Sequence, residues 1–138
     1  MSTISNQRSK LLYLMKILLD KTDMQNPMTI NEIITELSIY GINAERKSIY
    51  TDLDILRRFG LDIKIKRSKT TGYYIAKRQF EMPDLKLLVE SVQSANFISG
   101  GKGEELITKL FTLTSEEQAK ILDEMRKSTD CNTTSQEL

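Results

Sequence analysis

The sequence predicts a mainly α chain with a small β hairpin, arranged as a winged helix-turn-helix followed by a small helical module. Three observations lead there. Apolar residues recur at helical spacing in three successive segments before Gly60. The second and third segments are separated only by a short turn containing Gly41, the layout of a helix-turn-helix. Directly after Gly60 the period changes to two around the polar run "RSKTTG" (Arg67–Gly72), which makes a hairpin and hence a wing.

The elements follow in order. Ser5–Lys21 reads as a helix, with Leu11, Leu14, Met15 and Leu18 at i, i+3, i+4, i+7 and with Leu12 and Leu19 widening the stripe. "TDMQNPM" (Thr22–Met28) is a polar connection. Thr29 and Glu32 fit a capping box, in which each side chain satisfies the other's backbone N–H. The helix that follows buries Ile30, Ile33, Ile34 and Leu37 and closes near Tyr40-Gly41. Asn43 is the expected cap of the third helix, which runs to about Phe59 with Ile49, Leu53 and Leu56 inward. "LDIKIK" (Leu61–Lys66) and "YYIA" (Tyr73–Ala76) are the two hairpin strands.

"KRQFEMPD" (Lys77–Asp84) reads as a linker, and Pro83 suits the first turn of a new helix. Leu85, Leu88, Val89 and Val92 carry that helix to about Phe97. "SGGKGE" (Ser99–Glu104) lacks the Ser or Thr that follows the lysine of a phosphate-binding loop, and a helix precedes it; it is a hinge. Glu104–Leu113 makes a short helix with Leu106, Ile107 and Leu110. The run Thr114–Glu117 caps a last helix, with Ala119, Leu122 and Met125 inward. The expected organisation is therefore a winged domain over 1–78, a helical linker or dimerisation module over 82–127, and a disordered polar tail over 128–138.

Composition excludes several chemistries. The chain has no histidine and one cysteine, Cys131. That removes histidine-based triads, histidine general bases and cysteine-clustered zinc sites. No catalytic residue, metal or cofactor is expected, and the chain does not read as an enzyme. No apolar run approaches the roughly 18–20 residues of a membrane span, and no leader pattern opens the sequence, so a cytoplasmic, nucleoid-associated location is expected.

The net charge of +1 hides an asymmetry. Residues 1–80 carry 14 Lys and Arg against 8 Asp and Glu, whereas 81–138 carry 6 against 11. A basic half suggests a polyanionic partner. Winding the third helix puts Lys47, Thr51, Asp54 and Arg58 opposite its buried stripe, flanked by Ser48 and Tyr50, with Arg46 nearer the stripe. A recognition helix aims its N-terminal part at base edges, where a long cation and hydroxyls can read them. Asp54 can pair with Arg58 one turn on. Asp52, beside the stripe, and Tyr40 read as structural. Lys64 and Lys66 share a strand face, with Arg67 and Lys69 at the turn, so this end of the hairpin could neutralise phosphates. A solvated helix face and a strand edge guarded by lysines are the plain alternatives. The candidate DNA contacts are Arg46, Lys47, Ser48, Tyr50, Thr51, Arg58, Lys66, Arg67, Lys69 and Thr29. The rival reading is a winged helix that binds protein and not DNA.

The blocks "KLLYLMKILLDKTD", "MTINEIITELSIYGINAERKSIYTDLDILRRFGLDI", "GYYIAKRQFEMPDLKLLVESVQSANFIS" and "ELITKL" resemble the N-terminal half of bacterial WYL-domain transcriptional regulators, which begin with a DeoR-like winged helix-turn-helix. The resemblance runs from about Lys10 to Leu113. It implies a regulator that binds double-stranded DNA as a homodimer. By position, Glu45–Phe59 would be the recognition helix, Arg67–Gly72 the wing on phosphate or in the minor groove, and Thr29–Ile39 the positioning helix. No WYL domain lies within these 138 residues, so an effector ligand is not expected of them.

Overall fold

A computed structural model describes the backbone of residues 3–95, 97–98 and 100–137, and within these the side chains of residues 8–128. Ser99 and the side chain of Cys131 lie outside the described residues. The chain is mainly helical with a small antiparallel sheet of three strands. It divides into two compact units, Met1–Lys77 and Arg78–Leu138.

In the first unit the order is α1 (Thr3–Lys21), β1 (Met28–Thr29), α2 (Ile30–Ile39), α3 (Arg46–Phe59), β2 (Ile63–Arg67) and β3 (Thr71–Ile75). The core joins Leu14, Ile17 and Leu18 of α1 to Ile33 and Leu37 of α2, Ile49, Leu53 and Leu56 of α3, and Ile63, Tyr73 and Ile75 of the sheet. Ile17 replaces Leu11 and Met15 at the centre of the α1 stripe, since both of those are only partly buried. At the end of α1 the buried Thr22 hydroxyl donates to Leu18 O at 2.6 Å and accepts from the Ile75 N–H at 3.0 Å, which ties the helix to β3.

The capping box of α2 forms as expected: Thr29 Oγ1 accepts from the Glu32 N–H at 3.2 Å, and the Thr29 N–H donates to Glu32 Oε1 at 3.3 Å. Gly41, at φ +78°, closes α2, and the Ile42 N–H reaches back to Leu37 O at 3.1 Å. This closure turns Ile42 into the core and leaves the next residues extended. The cap position of α3 therefore falls on Glu45 instead of Asn43, and the helix starts at Arg46. Gly60, at φ +130°, ends α3.

The sheet differs from the expected two-stranded hairpin. β1 pairs with β3, Met28 opposite Tyr73 and Thr29 opposite Gly72, so the sheet order is β1-β3-β2. Gly72 permits this: a Cβ there would stand 2.7 Å from Pro27 Cβ. In the hairpin, Lys64 lies opposite Tyr74 and Lys66 opposite Gly72.

The second unit holds α4 (Met82–Ser94), α5 (Lys102–Phe111) and α6 (Glu116–Glu137), with Leu85, Val89, Ile107 and Leu122 buried. Ser115 Oγ accepts from the Gln118 N–H at 3.2 Å and so caps α6. Arg126 forks onto Glu104 at 2.8 and 2.9 Å and meets Asp123 at 2.8 Å, bridging α6 to α5. Met125, expected inward, is exposed. The helix runs through Glu137, where a polar tail was expected. Among the described residues, no helix is long and apolar enough to cross a membrane.

Candidate nucleic-acid interface

The candidate residues lie on α3, on the hairpin and, for Thr29, at the end of β1, and the structure sorts them. Lys47 and Thr51 stand exposed on α3. The Lys47 ammonium has no hydrogen-bond or ion-pair partner among the described residues, and the Thr51 hydroxyl makes only a 3.4 Å hydrogen bond to Lys47 O. Tyr50 is 44% exposed. Arg46 is exposed but engaged: it donates to Tyr50 Oη at 3.3 Å and to Asn31 Oδ1 at 3.2 Å, joining the first turns of α2 and α3.

Ser48 and Thr29 leave the set of free donors. The Ser48 hydroxyl accepts from Lys10 Nζ at 2.8 Å and donates to Glu45 O at 2.8 Å, so its one donor is spent inside the protein. The Thr29 hydroxyl is used in its capping box and also donates to Glu32 Oε1 at 3.0 Å. Arg58 pairs with Asp54 at 3.0 Å on the exposed face, as the i, i+4 spacing predicts. That pair cancels itself, so the net charge of the second half of α3 is carried by Arg57.

On the hairpin, Lys64, Arg67 and Lys69 are exposed without a carboxylate partner among the described residues. Lys66 turns back instead, donating to Met24 O at 3.2 Å. Its ammonium therefore anchors β2 to the connection before β1, although its charge remains exposed.

Between α3 and the hairpin runs an open groove of about 490 Å³, lined by Tyr50, Thr51, Leu53, Asp54, Arg57, Ile65 and Tyr73. Arg57 Nε donates to Ile63 O at 3.0 Å, which fixes the strand against the helix at this end. Burial, together with the neighbouring Tyr50 phenol, pushes the Tyr73 hydroxyl above its ordinary pKa of 10.0. Among the described residues no group of His, Cys, Asp or Glu could hold a metal ion.

No family model, curated protein or solved structure matches the chain.

Two features in and beneath this surface have no clear signal in the sequence. Ile65 lies in a strand where alternation marks it as inward, yet it is 39% exposed because the groove opens beside it. Lys10 sits on the buried side of α1 and touches α3, where helical spacing would place an aliphatic residue. The pairing of Lys10 with Asp52, 2.8 Å apart, spans 42 residues and leaves no local trace. The contact is an ion pair, and Asp52 Oδ2 receives no directed hydrogen bond.

Proposed function

We propose that the first unit is a winged helix-turn-helix that binds double-stranded DNA sequence-specifically and regulates transcription. In this reading α3 enters the major groove by its first two turns, and the tip of β2 and β3 lies on phosphate or in the minor groove. The observation that carries the reading is a single one. Lys47 on α3 and Arg67 and Lys69 at the end of the adjacent hairpin are exposed and unneutralised by any carboxylate among the described residues. Unpaired cations on a helix start and a neighbouring hairpin suit phosphates on either side of a groove. Lys47 and Thr51 are the pair placed for base edges, with Tyr50 beside them. Arg46 serves chiefly to join α2 and α3, and Ser48 to hold α3 from within.

The resemblance to WYL-domain regulators supports the same reading and suggests a homodimer acting in the bacterial cytoplasm. The acidic second unit, which exposes Leu87, Ile121 and Met125, is then the module that pairs with a second copy.

A gel shift with random duplex at low salt is the first test. Binding that fades steeply with salt supports the reading. No binding favours the second reading, a winged helix that docks protein, which the exposed Ile55 and Phe59 at the end of α3 would serve. The recognition helix is tested by Lys47→Ala with Thr51→Ala. The double change should weaken a selected site more than random DNA. Equal loss on both would reduce these residues to phosphate contacts.

A further inference from the structure

The contact between α1 and α3 is unusual in its chemistry. Along α1, Lys10 falls in line with Leu14, Ile17 and Leu18, at i, i+4, i+7 and i+8, and its side chain is only 6% exposed. Its ammonium meets two groups on one face of α3, Ser48 Oγ at 2.8 Å and Asp52 Oδ2 at 2.8 Å, and the Asp52 side chain is 14% exposed. Ser48 then passes the contact to Glu45 O, the cap position of α3.

We propose that Lys10 and Asp52 are positioning residues that fix the rotation of α3 about its own axis, and that they act on DNA through Lys47 and Thr51; this rests on the DNA-binding reading. Besides this pair, α3 is held by the aliphatic packing of Ile49, Leu53 and Leu56 and, towards its two ends, by the Arg46–Asn31 and Arg57–Ile63 hydrogen bonds. Aliphatic packing is non-directional and tolerates small shifts. A buried ion pair contributes little stability over an apolar pair of similar volume, because desolvation offsets the attraction. Its effect falls on geometry. Lys47 and Thr51 each directly precede one of the two held residues, Ser48 and Asp52. Any rotation at the held face therefore moves the outer face with it. A turn of about 10° displaces a group roughly 6 Å from the axis by about 1 Å, enough to spoil a directed hydrogen bond to a base. Phosphate contacts from flexible lysines tolerate that displacement.

The test is the full chain with Lys10→Met and Asp52→Leu together, which replaces the pair by apolar groups. Nitroxide labels on Leu12→Cys and Thr51→Cys, in a Cys131→Ser background, report the setting of α3 against α1. The expected result is a broadened distance distribution with the melting temperature unchanged or raised. In the unlabelled chain, affinity for a selected operator should fall about tenfold or more while random-duplex affinity stays within about twofold. A distribution as narrow as that of the unaltered pair overturns the proposal. So does operator affinity that is unchanged, or that falls in step with random DNA and the melting temperature. Should that variant fail to fold, Ser48→Ala with Asp52→Asn keeps the lysine, removes the hydroxyl acceptor and the carboxylate charge, and is scored in the same way. If the unaltered chain binds no DNA, the functional reading falls, and the distance distribution alone decides whether the pair sets the helix.

Discussion

Gly72→Ala isolates the contact that builds the third strand. Gly72 does not sit at positive φ, so alanine meets no backbone penalty there. The cost is steric. An added Cβ would stand 2.7 Å from Pro27 Cβ, 3.2 Å from its Cγ and 3.4 Å from its carbonyl carbon. Ordinary contact begins near the last of these, so Pro27 or β3 must retreat by about 0.7 Å. Pro27 is a rigid ring directly before β1, and β1 has only two residues with which to absorb the shift. Overpacking of this kind costs about 1–3 kcal/mol. Alanine returns about 0.4–1 kcal/mol by narrowing the unfolded ensemble. The net is a loss of about 1–2 kcal/mol, or roughly 4–16 °C in melting temperature for a unit of this size. The assay is selective by composition. All five tyrosines, Tyr13, Tyr40, Tyr50, Tyr73 and Tyr74, lie in the first unit, and the chain has no tryptophan. Tyrosine emission in urea therefore follows that unit alone. Replacing Pro27 by Gly in the Gly72→Ala background should recover part of the loss by removing the clashing Cβ. A Gly72→Ala chain as stable as the parent would refute the close approach of Pro27 and with it the placement of β1.

The other predictions use the same two units. Thr29→Ala removes the α2 cap and should cost about 1 kcal/mol by tyrosine emission. In the second unit, burial raises the Asp123 carboxyl, but hydrogen bonds from Lys127 and Arg126 outweigh it and hold the pKa below 3.8. A depressed carboxylate contributes stability above its unfolded pKa and loses it as pH falls through the folded value. Helix content of the second unit should therefore soften below about pH 4, and Asp123→Asn should flatten that part of the profile, read by circular dichroism. On the hairpin, Arg67→Ala with Lys69→Ala should reduce the magnitude of the log-affinity against log-salt slope by about 2. An unchanged slope would remove the tip from the interface.

Much of the helical fold was legible because helices signal within a few turns. Leu14 and Leu18, then Ile33 and Leu37, then Ile49, Leu53 and Leu56 lie where a period of 3.6 puts them. Gly41 and Gly60 mark helix ends for a reason local to their φ values. What escaped is what depends on distant partners. β1 is too short for alternation to appear and exists because Gly72 admits Pro27. Asn43 looked like a cap, but the inward turn at Ile42 moved the helix start to Arg46. A helical wheel sets Ser48 beside the outer strip, but the wheel carries no record of Lys10, which reaches it from α1. Lys66 likewise was read from the charge of its strand, whereas its ammonium is taken by Met24 O. The candidate surface was legible as a basic helix start beside a basic hairpin, and the structure redistributes roles within it.

The most direct measurement selects bound sequences from a random DNA pool with the full chain, then compares affinity for the selected site and a scrambled duplex at fixed physiological salt. A sequence-specific regulator should recover one recurring motif and bind it about a thousandfold or more tighter than the scrambled duplex. No recurring motif, or equal affinity for both duplexes, would contradict the account.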